Sequence, residues 1–159
     1  DVDEIIEGIN HTIKDFYYYH VQLKEGVEPF LKGLQQAKIR IVAATSSDRE
    51  VFERALARLK VINYFDKIFT CGEIGEGKEK PDIYLAAAEY MGTLPKDTVV
   101  FEDALHAIKT AKDAGFRTIG IFDASSIDNI NEIRETSDIY IESLDHLGDI
   151  NDLLKNAFL

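Results

Sequence analysis

The chain is poor in cysteine, with only Cys71 among 159 residues. No internal disulfide can form, and this usage fits a reducing, cytosolic setting. Basic charge is also scarce. Lys and Arg number 18 against 29 Asp and Glu, for a formal net charge of -11. Nucleic acid and anionic membrane surfaces both demand clustered Lys and Arg, so neither is expected as a general partner. No apolar stretch approaches the roughly 18 residues of a spanning helix. The acidic N-terminus lacks the basic region of a signal peptide. Internal repeats and low-complexity tracts are absent. The expectation is a cytoplasmic globular domain.

What is present is ordinary globular usage, 45% hydrophobic and 30% charged, at a length that one domain with a sizeable core fills. Val2, Ile5, Ile6, Ile9, Ile13, Phe16 and Tyr17 recur at three- and four-residue steps and predict a helix over 2–19. Asp1-Val2-Asp3 falls inside that period. No apolar strand precedes it and no glycine follows it, so it reads as a helix start rather than a catalytic pair. The aromatic run 16–20 is expected to pack on a neighbouring element. A polar connector over 21–26 ends at Gly26, and Val27, Phe30, Leu31 and Leu34 define a short helix. Residues 39–44 have the β-branched and small side chains of a strand. The strand runs into Thr45-Ser46-Ser47-Asp48, where Asp48 or Ser47 is a natural cap for the next helix.

A short strand over 67–70 leads to a glycine-rich loop over 71–77. Lys78 follows, and Pro81 opens a helix over 82–91. The strand over 98–102 stops at Glu102-Asp103, and a helix over 104–114 begins at once and closes at Gly115. A strand over 117–122, a loop and short helix over 125–134, a strand over 139–141 and a helix over 147–154 complete the chain. Strands alternating with helices through short connections predict a parallel, doubly wound α/β sheet. Right-handed crossovers put Thr45, Thr70-Cys71, Glu102-Asp103 and Phe122-Asp123 on one sheet edge, the edge at which such sheets bind ligands.

Three features converge on that edge. Thr45 and Ser46 combine hydroxyls with the N–H groups of a helix start, which suits an anion. Lys78 adds a mobile positive charge. Glu102 and Asp103 offer oxygen ligands for a hard cation such as Mg2+. Each alone also reads as capping or solvated surface chemistry. Together they suit phosphoryl transfer, which needs charge stabilisation on the phosphoryl oxygens.

Three segments carry a family resemblance. Residues 41–47 (Ile-Val-Ala-Ala-Thr-Ser-Ser), 77–84 (Gly-Lys-Glu-Lys-Pro-Asp-Ile-Tyr) and 100–103 (Val-Phe-Glu-Asp) resemble the second, third and fourth motifs of the haloacid dehalogenase superfamily. The closer likeness is to its β-phosphoglucomutase-like and phosphoglycolate-phosphatase-like branch. Glu79 stands where proline is common, and Ala104 and Ala107 replace the usual Ser and Gly. The first motif, a strand ending Asp-x-Asp-Gly-Thr, has no counterpart here.

The resemblance implies a three-layer Rossmann-like core with a parallel sheet over 21–159, and a remnant of an α-helical cap over 1–20. It implies a Mg2+-dependent phosphatase of small phosphorylated metabolites that works through an aspartyl-phosphate. The nucleophilic aspartate would lie outside this sequence. Thr45 would donate to a phosphoryl oxygen, helped by the N–H of Ser46, and Lys78 would neutralise charge. Asp103 would ligate Mg2+, with Glu102 as a second ligand or through water. A sugar phosphomutase and a catalytically dead binding module are the alternatives. In the family the missing strand lies mid-sheet, between the strands ending at Thr45 and Asp103. Its loss leaves two strand edges without backbone partners. The expectation is therefore a C-terminal portion of a longer protein, inactive alone, whose gap an N-terminal segment or another chain fills.

Overall fold

The computed structural model describes residues 1–145. The helix expected over 147–154 lies outside the described residues. Helix α1 (Val2–Asp15) passes directly into a π-helical turn, Phe16–His20. The apolar stripe of α1 forms as its period dictates, yet Val2, Ile5, Ile6, Ile9 and Ile13 are all exposed. Helix α2 (Val27–Gln36) starts at Gly26, whose φ of +79° only glycine adopts easily.

Strand β1 (Val42–Thr45) is shorter at its start than the expected 39–44 and includes Thr45. The reason is the exit from α2. Lys38 takes a left-handed φ of 58°, and the N–H of Ile39 returns to the carbonyl of Leu34 at 3.0 Å. Residues 37–39 thus terminate a helix instead of starting a ladder.

Helix α3 (Arg49–Arg58) carries the aromatic turn. Arg54 stacks 4.0 Å from the Tyr18 ring centroid, and Arg58 donates to the carbonyls of Tyr17 and Val21. Strand β2 (Lys67–Thr70) ends at a surprise in the expected glycine loop. Cys71–Ile74 is one helical turn, α4, because Thr70 Oγ1 accepts the N–H of Glu73 at 3.2 Å. Gly75 then ends it.

Helix α5 (Asp82–Met91) follows, with Pro81 at its N-cap. Next come β3 (Val99–Glu102), α6 (Leu105–Asp113) and β4 (Arg117–Ile121). A 3-10 segment, Ala124–Asn129, leads into α7 (Ile130–Thr136), and β5 (Ile139–Ile141) is the last described strand.

All pairings among these strands are parallel, but they form two sheets. β1 pairs with β2, with Thr45 opposite Thr70. β3, β4 and β5 form the other, with Glu102 opposite Gly120. No ladder joins β1 to β3 among the described residues. The period of two along the strands divides the core into two faces. Ala43 and Ile68 pack with Leu31 of α2 and Leu56 of α3. Ala44, Phe69 and Val100 pack with Ile83, Tyr84 and Ala88 of α5 and Ala107 and Ala111 of α6. Helices therefore cover both faces, and α5 spans both sheets.

Between β1 and β3 lies an apolar groove of about 660 Å³. Phe30 and Leu34 of α2 line one wall, and Tyr84 and Phe116 line the other. Phe30 reaches the β3 side, with its ring 5.3 Å from that of Phe101.

Candidate active site

Thr45 is buried at the end of β1, and its Oγ1 accepts the N–H of Ser47 at 3.0 Å. The Ser46 hydroxyl lies 3.6 Å from the thiol of Cys71, at the start of α4. Asp48 holds the N-cap position of α3 but makes no side-chain capping bond, contrary to the sequence expectation. Arg49, next along, grips Glu73 of α4 through Nε at 2.5 Å and Nη2 at 2.6 Å. It also donates to Glu53 at 2.7 Å and to the carbonyl of Ile68 at 2.8 Å. The Arg49 hydrogen bond draws the Glu73 carboxyl down to a pKa of about 2. This fork ties α4, and with it the glycine loop that carries Lys78, to the start of α3.

Lys78 turns inward. Its ammonium pairs with Oε1 of Glu102, and both side chains are largely buried, 15% and 6% exposed. The Tyr84 hydroxyl donates to the same Oε1 at 2.9 Å. Oε2 of Glu102 accepts the N–H of Asp103 at 3.3 Å. The structure thus joins Lys78, Glu102 and Asp103 in one constellation. Thr45 and Ser46 stand across the groove from it, with no direct hydrogen bond to it among the described residues.

Asp103 has its pKa raised, first by burial and then by the charges of Glu102 and Asp123, with Lys24 opposing. Lys24 was not singled out in the sequence. It reaches from the 21–26 connector to donate to the carbonyl of Phe122 at 2.8 Å and to pair with Asp123 at 2.5 Å. Lys24 and then Ser125 lower the Asp123 pKa to about 2. An acid whose folded pKa lies below its unfolded value of about 3.9 contributes stability above that value. The contribution is lost as pH falls through the folded pKa. Asp123→Asn is therefore expected to lower the urea midpoint at neutral pH, with the gap to the parent closing between about pH 4 and pH 2. An equal gap at both ends of that window would assign the effect to something other than the ion pair.

Tyr84 was the other residue without an assigned role. Its signal was available, since a tyrosine on the buried face of a helix needs a partner for its hydroxyl.

Among the described residues, no three His, Cys, Asp or Glu side chains converge to hold a metal ion. Mg2+ keeps several waters and needs only one or two carboxylates. Burial, and after it the charges of Glu102 and Asp123, raise the Asp103 pKa, and a cation would offset both. The donor set fits such an ion, with Asp103 the carboxylate not engaged by Lys78 and Tyr84. Among the described residues no helix is long and apolar enough to cross a membrane.

The chain is 38% identical over 100 residues to a phosphorylated carbohydrates phosphatase of Thermotoga maritima, covering 61% of this chain and 46% of that protein. It is 32% identical over 123 residues to the β-phosphoglucomutase of Bacillus subtilis, covering 77% of this chain and 54% of that protein. A crystal structure of a HAD hydrolase from Entamoeba histolytica superposes with a TM-score of 0.79 at 27% identity, covering 96% of this chain and 70% of that one. The chain spans about half the length of the curated relatives it matches. The model of the haloacid dehalogenase-like hydrolases matches residues 3–115. With its parallel α/β core and its acid-ended strand β3, the chain belongs to the haloacid dehalogenase-like hydrolase family.

Proposed function

We propose that this chain supplies the phosphate- and metal-binding half of a Mg2+-dependent phosphatase that acts on a small phosphorylated metabolite. The observation that carries this reading is the buried Lys78–Glu102 pair beside Asp103, at the end of β3. An ammonium and a pair of carboxylates are held at the edge where a phosphoryl group would carry its charge. Thr45 accepts from Ser47, which leaves its own O–H free to donate to a phosphoryl oxygen. The Ser46 N–H adds a second donor at that position. Lys78 neutralises charge on the phosphate and on the attacking group. Mg2+, held by Asp103 with Glu102 or water as a further ligand, would supply further charge neutralisation on those oxygens.

In this reading the nucleophile arrives on an apolar strand that fills the groove between β1 and β3, from an N-terminal segment or another chain. The groove is apolar and flanked by two strands that have no ladder on that side among the described residues, a setting that favours strand addition. An aspartate at the end of that strand attacks phosphorus and expels the alcohol, and water then cleaves the aspartyl-phosphate. Residues 1–20 belong to a helical cap and 21–159 to the core. The exposed stripe of α1 supports a covering element. A cytoplasmic setting goes with the single cysteine.

The test is Asp103→Asn in the full-length protein. Hydrolysis of p-nitrophenyl phosphate in Mg2+ is expected to fall at least about 100-fold, with the circular dichroism spectrum unchanged. Undiminished hydrolysis would sink the assignment. Sequence likeness to a β-phosphoglucomutase extends over 77% of this chain, which supports a phosphomutase as the second reading. The products formed from β-glucose 1-phosphate separate the two: inorganic phosphate for a phosphatase, glucose 6-phosphate for a mutase.

A further inference from the structure

Glu102 is the most enclosed acid of the constellation, and its Oε1 receives two donors from different elements. Lys78 comes from the end of the glycine loop. Tyr84 is the third residue of α5, 3% exposed, with its ring against that of Phe116 at 6.1 Å between centroids. The two donors differ in rigidity. Lys78 rides on a flexible four-carbon stem. The Tyr84 hydroxyl sits at the end of a rigid ring that is itself locked in the core formed with Ile83, Ala88, Val100 and Ala107. The hydroxyl donates to Oε1 of the carboxylate at 2.9 Å.

Oε1 of Glu102 has one mobile and one fixed side-chain donor and takes its position from the fixed one, while the Asp103 N–H meets Oε2 at 3.3 Å. We propose that Tyr84 is a positioning residue. Its buried hydroxyl holds the Glu102 carboxylate in one rotamer, and through it fixes the Lys78 ammonium beside Asp103. Tyr84 touches no reacting group in this arrangement. It acts on Lys78 through the shared Oε1 of Glu102. The link from Lys78 to catalysis rests on the phosphatase reading above, whereas the hold of Tyr84 on Lys78 does not.

Tyr84→Phe removes the hydroxyl and keeps the ring, so the core packing is preserved. Two measurements test the proposal. The first is the acylation rate of individual lysines by acetic anhydride, read by mass spectrometry on the 159-residue chain. Lys78 is expected to react several-fold faster in Tyr84→Phe, and Glu102→Gln should reproduce the increase. Lys80, paired with Glu76 at 2.8 Å on the surface, serves as the internal control and should not change. A merely structural role of Tyr84 would raise both lysines together or neither, and an unchanged Lys78 rate overturns the proposal.

The second measurement is p-nitrophenyl phosphate hydrolysis by the full-length protein. Tyr84→Phe is expected to cost about tenfold in kcat/KM in the parent background and nothing further in a Lys78→Ala background. Additive losses would assign Tyr84 a role independent of Lys78 and overturn the relay. If Lys78 acylation rises as expected while the parent protein hydrolyses no phosphate ester, the phosphatase reading fails and the positioning role stands.

Discussion

Residues 1–159 alone are expected to release no phosphate from p-nitrophenyl phosphate above the uncatalysed rate, even in Mg2+. The reason lies in what the site holds. Phosphoryl transfer through a covalent intermediate needs a nucleophile in line with phosphorus. Among the described residues, the carboxylates at the ends of β3 and β4 have other work. Glu102 accepts from Lys78, Tyr84 and the Asp103 N–H. Asp123 is held by Lys24 and Ser125. Asp103, in the proposed reading, is the carboxylate that would hold Mg2+.

The backbone points the same way. Among the described residues β1 pairs only with β2, and β3 only with β4, so each has one edge on the groove. Amides on those edges are expected to exchange hydrogen at least about tenfold faster in the 159-residue chain than in the full-length protein, where a strand would protect them. Measurable turnover by the chain alone, or equal exchange in both forms, would overturn the strand-completion reading.

Lys78→Ala is expected to damage stability and activity together. The substitution leaves Glu102, 6% exposed, with a buried charge and no cation. Removing one partner of a buried pair costs about 3 kcal/mol or more. In a domain of this size, 1 kcal/mol moves Tm by about 2–4 °C, so a fall of roughly 6–12 °C is expected. Hydrolysis by the full-length protein should fall about 100- to 1,000-fold, the loss typical of removing a preorganised charge from a transition state. The double variant Lys78→Ala/Glu102→Gln separates the two effects. Most of the lost Tm should return, because no unpaired charge stays buried, and the activity should not. A single variant that melts within a degree of the parent would mean that Glu102 is not held as a charged partner of Lys78.

Much of the fold was legible because its signals are local. The three-four spacing of Val2, Ile5, Ile6, Ile9 and Ile13 dictates α1 whatever surrounds it. The β-branched run before Glu102 dictates β3. The misses were also local in cause, but they turned on bonds that a periodicity does not encode. Lys38 ended α2 in a left-handed conformation where glycine is usual, and so shortened β1. Thr70 capped a helical turn inside a glycine-rich stretch that otherwise reads as loop. Asp48 took the cap position without making the cap bond.

The candidate site divides in the same way. Sequence by itself determined which residue types stand at the strand ends: the hydroxyls at Thr45 and Ser46, the acids at Glu102 and Asp103, and the lysine after the glycines. A strand end and a helix start are properties of a few adjacent residues. Only the tertiary structure decided who pairs with whom. Lys78 finds Glu102 across 24 residues, Tyr84 finds it across 18, and Lys24 reaches the carbonyl of Phe122 across 98. It also decided that Glu102 faces a lysine and a tyrosine, and that β1 and β3 stand apart across an apolar groove. Periodicity specifies which face of an element a side chain occupies. The partner it meets there depends on how distant elements are laid against one another, and that is a matter of packing and charge.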